Sequence, residues 1–226
     1  MDLTIGPWRV RLRPDGPDLA PAHALRAARF RGGADDRDRF DAAARHLTVE
    51  DAGGLAAYAR LTPQRGAAAI LAGYAARSYD LRGMAAAFPA AIEVGRLCLA
   101  RPDPDLPRLV LALLARVTEA EGAALLYGCA SVPGTAPPAA LADLRDRIAP
   151  GWGPGRRAAE TVGLTEGTGP GGLPPLLRLY LGLGARVSDH AVIDRDLGTV
   201  HVLTALPVAA IPARRAATLR GILAPA

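Results

Sequence analysis

The sequence predicts a single α/β (α+β) domain whose mixed central sheet is flanked by helices. Three observations carry that expectation. Short apolar or alternating runs at 47–50, 55–61, 92–100 and 123–132 are interleaved with helical periodicity at 21–31, 106–121 and 176–183. Some strands are joined by a tight turn and others through a helix, a combination that gives a sheet of mixed direction. Finally, 226 residues, half of them hydrophobic and 22% charged, suffice for one good core and are short for two.

Taken in chain order, Leu3-Thr4-Ile5 and residues 8–12 alternate and read as one or two opening strands. Pro21 suits a first helical turn, and Leu25, Ala28 and Arg29 recur at helical spacing, so 21–31 reads as a helix. Residues 32–39 form a charged loop without periodicity, and 40–46 a short turn. Leu47-Thr48-Val49-Glu50 and 55–61 are hairpin partners across the 51–54 turn. Residues 74–88 are mixed and helical near their end. The strongest strand is 92–100. After a proline-broken loop, 106–121 sets Leu109, Leu113 and Val117 on one face of a helix. A second buried strand, 123–132, ends at Pro133-Gly134. Residues 141–148 are expected as a short amphipathic helix, and the Gly/Pro-rich 150–175 as an irregular, mobile surface segment. A helix at 176–183 and two closing strands, 186–193 and 199–206, complete a domain expected to span 1–226, with no internal repeat.

The net charge is +5, and the chain has no Lys and no Asn, a usage that reads as the codon bias of a GC-rich bacterial genome. Arg suits bidentate binding of carboxylate and phosphate. A modest basic excess fits an acidic protein partner, a phosphate-bearing carrier or an anionic membrane surface. Nucleic acid is not expected, because the arginines are scattered and aromatics make up only 4%. Cys98 and Cys129 lie in apolar runs without a C-x-x-C or a His/Cys cluster, so no metal site is expected and both read as buried reduced thiols. With no N-terminal h-region and no apolar run near ~20 residues, the protein is expected in the cytoplasm, at most peripheral to the inner membrane. Ser131, His190 and Asp194 lack a Gly-x-Ser-x-Gly elbow, which argues against a hydrolase.

The most informative stretch is Ile92-Glu93-Val94-Gly95-Arg96. It places a carboxylate and a guanidinium inside an apolar run, where a lone charge is costly to bury. Either the two are structural ions or they do chemistry. At an odd separation Glu93 and Arg96 should project to opposite faces of a regular strand. A bulge at Gly95 would change that; without one, Arg96 is expected to meet Asp38 or Asp41 on another face.

These residues have company. Leu25-Arg26 with Phe30, Asp38-Arg39-Phe40-Asp41, His46-Leu47, Tyr58-Ala59-Arg60-Leu61, Tyr79-Asp80-Leu81, Gly128-Cys129-Ala130-Ser131-Val132-Pro133-Gly134-Thr135, Tyr180-Leu181 and Ala191-Val192-Ile193-Asp194 occur in order around the central strand. As an ordered set over roughly residues 20 to 210 they resemble the ornithine–acyl-[acyl carrier protein] N-acyltransferases, which make lyso-ornithine lipid. More distantly they are similar to acyl-homoserine-lactone synthases. The resemblance implies the GNAT (N-acetyltransferase superfamily) fold. It also implies transfer of a fatty acyl group, 3-hydroxyacyl or saturated, from acyl carrier protein to the α-amine of an amino acid, ornithine or else glutamine, as the first step of aminolipid synthesis. No bound cofactor is implied; the donor is the phosphopantetheine thioester.

The same resemblance assigns roles. Glu93 is the base that takes the proton of the attacking amine. Arg26, Asp38, Asp41, Arg60 and Arg96 form the acceptor site, since a zwitterion needs carboxylates for its ammonium and Arg for its carboxylate. Leu97, Leu125 and Leu126 are acyl-lining candidates, and Arg101 and Arg108 candidates for the carrier phosphate. GNAT enzymes usually hold the coenzyme A pyrophosphate on a glycine-rich loop that opens a helix. Here that loop is Pro102-Asp103-Pro104-Asp105-Leu106-Pro107-Arg108, with two acids and no glycine. This argues against acetyl-coenzyme A as donor. Two alternatives stand beside this reading: a lactone synthase using S-adenosylmethionine, and a non-catalytic binder of acyl carrier or lipid.

Overall fold

The computed structural model describes residues 1–224 and divides into two compact units. Unit 1 comprises Met1–Pro63, Val94–Glu121 and the C-terminal segment from Ala213; unit 2 comprises Gln64–Glu93 and Gly122–Pro212.

Unit 1 begins with a hairpin of β1 (Asp2–Ile5) and β2 (Trp8–Arg13), closed where Ile5 faces Trp8. Gly6 makes that turn at φ +54°, a left-handed conformation that favours glycine. After α1 (Ala20–Phe30), β3 (Arg45–Asp51) pairs antiparallel with both β2 and β4 (Gly54–Arg65). The β3–β4 register sets His46 opposite Arg60 and Thr48 opposite Tyr58, so alternation places Tyr58 and Arg60 on one face with His46. Leu19, Ala22, Tyr58 and Cys98 form a small core there, with Leu25, Phe30 and Leu55 against it. Burial pushes the Cys98 thiol up to about 12, in keeping with an inert reduced cysteine.

Unit 2 contains α2 (Gly66–Leu71), β5 (Tyr79–Asp80) and α3 (Arg82–Ala87). β6 (Ala90–Leu99) has residues in each unit. Its first residues pair parallel with β7 (Leu125–Pro133) at Ala91↔Leu125, Ile92↔Leu126 and Glu93↔Tyr127. A parallel pair requires a crossover, and the chain makes it through α4 (Leu106–Ala120), whose apolar face of Leu106, Leu109, Val110, Leu113, Leu114 and Val117 is buried. Beyond β7 come β8 (Gly155–Arg156), β9 (Thr161–Gly163), α5 (Pro175–Gly182), β10 (Arg186–Val187), β11 (His190–Asp194) and β12 (Thr199–Pro207). The strand order is β6-β7-β12-β11-β9, and β8 pairs with β5. One face of this sheet carries Ala91, Leu125, Tyr127 and Leu203 over the segment from Ile70 to Ala85. A second cluster contains Leu141, Leu144, Leu164, Leu177, Val200 and Val202. In unit 1, α6 (Ala213–Ile222) packs with α4.

Three local expectations are corrected. Residues 141–148 are not an α-helix; Ala139–Arg147 is a 3-10 helix, and only Leu141 and Leu144 are buried. An apolar pair at i, i+3 suits a turn of 3.0 residues. The segment 150–175 is largely irregular, as expected, but is tied down at several points. It contributes β8 and β9, and Gly169 exchanges backbone hydrogen bonds with Pro137 and Ala139 at 2.8 and 2.9 Å. A Cβ on Gly167 would meet the Pro138 carbonyl oxygen at 2.5 Å, so the glycine there serves close backbone approach. The closing strands number three, because Ser188 bends the first: its hydroxyl donates to His190 O at 2.6 Å and accepts from Leu203 N at 3.2 Å. Among the described residues no helix is long and apolar enough to cross a membrane.

Candidate active site

In unit 1, six charged residues spread from position 26 to 96 converge. On α1, Ala22 and Arg26 face inward one turn apart, and Arg26 is fully buried. Its Nη1 donates to Asp41 Oδ1 at 2.7 Å, its Nε to Asp36 Oδ2 at 3.1 Å and its Nη2 to the Asp36 carbonyl at 2.8 Å. Arg60, on β4, donates from Nη1 to Asp38 Oδ1 at 2.6 Å and to Asp41 Oδ1 at 2.9 Å. Arg96, on β6, donates from Nε to Asp36 Oδ2 at 2.7 Å, and its Nη2 lies 3.6 Å from Asp38 Oδ2. Three guanidinium groups therefore meet three carboxylates. A buried set of ions is tolerable only when so paired and hydrogen-bonded.

The neighbours reinforce this network. His46 Nδ1 lies 2.7 Å from Tyr58 Oη, and Arg26 Nη1 donates to that oxygen at 3.4 Å. Burial raises the Tyr58 hydroxyl well above its usual range and lowers the His46 imidazole, so both stay neutral near pH 7. Phe30 and Phe40 lie under guanidinium groups, with Arg96 5.4 Å from the Phe30 ring and Arg60 5.8 Å from the Phe40 ring. For Asp41, burial alone would raise the carboxyl. Arg26, the Asp38 amide and Arg60 outweigh that and hold it at about 2.

Exposure separates the members. The side chains of Arg26, Asp36, Asp41, Arg60 and Arg96 are at most 5% accessible, whereas Asp38 is 23% accessible. Its Oδ2 is nevertheless a buried atom that accepts no hydrogen bond and faces Arg96. The network thus has a closed interior and one carboxylate at its rim.

The strand carrying Arg96 departs from regular geometry. Arg96 has φ +53° and, among the described residues, is the one non-glycine with a positive φ. An L-residue in that region costs roughly 1–2 kcal/mol, offset here by the Asp36 ion pair. The departure from regular geometry therefore falls at the arginine itself, next to Gly95. Gly95 has its own reason: a Cβ would stand 3.3 Å from Arg60 Nε.

Glu93 lies in unit 2 and is 5% exposed. Its Oε1 accepts from Ala75 N at 2.6 Å; its Oε2 accepts from Tyr74 N at 2.9 Å and from Gln64 Nε2 at 3.2 Å. These hydrogen bonds favour the ionised carboxylate, while burial favours the neutral acid.

The remaining candidates are dispersed. Leu125 and Leu126 are both buried. As neighbours on β7 they face opposite sides of the sheet and do not line one groove. Leu97 is half-buried. Arg101 is paired with Asp51 and lies over Trp8, while Arg108 is exposed in the first turn of α4. At that helix start the Asp103 carboxylate accepts from the amides of Asp105 and Leu106, both at 2.9 Å. Those amides are engaged by the chain's own acid rather than presented outward.

Sequence reasoning missed Asp36, the carboxylate joining Arg26 to Arg96, and Gln64 and Tyr127 behind Glu93. Asp35-Asp36 is an acidic pair in an aperiodic loop. Nothing in its composition tells that Asp35 is exposed beside Arg37 while Asp36 is buried.

Residues 24–103 match the family described as an acetyltransferase (GNAT) domain. An N-acyl amino acid synthase from uncultured soil microbes, FeeM, superposes with a TM-score of 0.55 at 11% identity, covering 89% of this chain and 91% of that one. A coenzyme A-dependent acyl-homoserine lactone synthase, MesI, superposes with a TM-score of 0.50 at 13% identity, over 92% of this chain and 89% of that one. These likenesses show the fold: the protein has the GNAT fold. An L-ornithine N(alpha)-acyltransferase of Agrobacterium fabrum (strain C58) is 30% identical over 86% of this chain and 72% of its own length. One of Brucella abortus (strain 2308) is 29% identical over 79% and 72%. The chain belongs to the L-ornithine N(alpha)-acyltransferase family.

Proposed function

We propose that this N-acyltransferase moves a 3-hydroxyacyl or saturated fatty acyl group from the phosphopantetheine thioester of acyl carrier protein to the α-amine of ornithine, the first step of an aminolipid. The amine nitrogen attacks the thioester carbonyl. An amide forms, the C–S bond breaks, the amine gives up a proton and the departing thiolate takes one. Glu93, oriented by its hydrogen-bond donors, is the acceptor of the amine proton. Asp38 meets the ammonium group of the amino acid, with Arg60 and Arg96 as the positive groups for its carboxylate. Arg26, Asp36 and Asp41 hold these in place.

One observation carries the acceptor assignment. In a network otherwise closed, Asp38 is the carboxylate at the rim, 23% accessible where the other five side chains are at most 5%. The donor assignment is supported by the start of α4, where Asp103 occupies two amides and prolines remove others. A pyrophosphate finds little there, and exposed Arg108 suits the single phosphate of a carrier arm.

The test is direct. Purified protein is incubated with 3-hydroxyacyl–acyl carrier protein or the matching acyl-coenzyme A, together with ornithine, glutamine or S-adenosylmethionine, and the products are read by mass spectrometry. N-acyl-ornithine from the carrier thioester is expected. Asp38→Asn should raise the KM for ornithine roughly tenfold, the loss of one charge-assisted contact. A lactone product, equal turnover of acyl-coenzyme A, or an unchanged KM in Asp38→Asn would overturn the corresponding part.

A further inference from the structure

Behind Glu93 lies a second layer of buried polar groups to which nothing above gives a chemical role. Gln64 is 3% exposed and Tyr127 2%. Tyr127 Oη donates to Gln64 Oε1 at 2.7 Å, and Gln64 Nε2 donates to Glu93 Oε2 at 3.2 Å. The residues come from β4, β7 and β6, and the parallel register sets Tyr127 beside Glu93. A turn closes over them: a Cβ on Gly73 would stand 2.5 Å from Gln64 Nε2 and 2.6 Å from Glu93 Oε2. Neither distance is one a real Cβ could keep.

We propose that Gln64 and Tyr127 are positioning residues for Glu93, a two-link hydrogen-bond chain that aims its carboxylate and fixes its charge state for the transfer. This rests on the reading of Glu93 as the group that takes the amine proton. The chain has a direction. The backbone amides of Tyr74 and Ala75 cannot reverse, but a carboxamide can. Reversed, Gln64 would turn its Oε1 onto the Glu93 oxygen, two acceptors at hydrogen-bond distance. The Glu93 carboxylate, which can only accept, opposes this, and the Tyr127 phenol completes the observed orientation by donating to Oε1, which leaves Nε2–H for Glu93. Burial, and next the Glu93 charge, push the Tyr127 hydroxyl well above its ordinary range, so it remains a donor. Were the trio only a packing element, apolar side chains of similar volume would fill the place without the desolvation of three polar groups.

The test uses the full chain and five variants. Tyr127→Phe removes one oxygen, and Gln64→Met keeps volume while removing both links. Tyr127→Phe is expected to lower kcat about tenfold, the scale of one buried hydrogen bond, and Gln64→Met further. The KM for either substrate should hold, and Tyr127→Phe should stay folded with a somewhat lower urea midpoint, since the buried Gln64 Oε1 loses its donor. In a Glu93→Asp background, where the shorter side chain has already left Gln64, adding Tyr127→Phe should change kcat less than twofold. The inference is overturned if Tyr127→Phe turns over like the parent, or if its loss is the same in the Glu93→Asp background. Should Gln64→Met fail to fold, Tyr127→Phe alone decides. Glu93→Gln is the separate control: if it keeps the parent kcat, the role of Glu93 is wrong whatever the other variants show.

Discussion

Asp36 shows most clearly what a single residue does here. Its Oδ2 accepts from both Arg26 and Arg96, its Oδ1 from Arg31 at 3.3 Å, and its backbone carbonyl from Arg26. The residue ties α1 and β6 to the loop between α1 and β3. Asp36→Asn keeps the shape and removes the charge, leaving three buried guanidinium groups to share two carboxylates. Removing one partner from a buried pair costs about 3–5 kcal/mol. We expect a loss of that size from urea unfolding of Asp36→Asn, against about 1 kcal/mol for the rim variant Asp38→Asn, which is partly hydrated already. Equal losses would show that the interior of the network is no more demanding than its edge.

At the scale of elements, the turn after α2 and the irregular point of β6 make opposite demands on two glycines. Gly73 has an ordinary φ, so its requirement is space: a Cβ would press on Gln64, Glu93 and the Ile70 carbonyl at 2.5, 2.6 and 3.2 Å. Gly95 would press only on Arg60, at 3.3 Å, and a flexible guanidinium can give way by a few tenths of an ångström. Gly73→Ala should therefore cost roughly 1–3 kcal/mol, as overpacking does, and lower kcat with it. Gly95→Ala should cost under about 1 kcal/mol. Urea midpoints of the two variants rank them, and the reverse order would mean that the turn, not Arg60, is the yielding part. The elements themselves were largely legible. α1, α4, β3, β4 and β7 announce themselves because a packed face imposes a period on the sequence. Glu93 and Arg96 stood out because a charge inside an apolar run is costly. What stayed hidden has no period. Asp36 sits in a loop, Gln64 at the end of β4 reads as an ordinary polar residue, and the left-handed Arg96 backbone is dictated by an ion pair sixty positions away in the chain.

At the scale of the whole molecule, buried titratable groups set how stability depends on pH. His201, in unit 2, is 4% exposed. Burial lowers its imidazole to about 4, with Asp194 pulling upward and His190 further down. The unfolded chain binds this proton near pH 6.5 and the folded chain only near 4. Between those values the unfolded state holds more protons, and stability must fall as pH falls. The contribution is complete above about 6.5, lost through about 4, and worth roughly 3 kcal/mol. His46 in unit 1 is lowered too, chiefly by burial, and acts in the same direction. Asp41 acts lower: with its carboxyl held at about 2, its share is full above about 4 and lost as pH falls through about 2. The two tryptophans, Trp8 and Trp152, fall one in each unit. A Trp8→Phe variant therefore leaves fluorescence reporting on unit 2 alone. Its urea midpoint should drop between pH 7 and 4.5, and His201→Gln, which cannot take up the proton, should remove most of that drop. If His201→Gln leaves the pH slope intact, the proton linkage lies elsewhere and His201 is a packing residue.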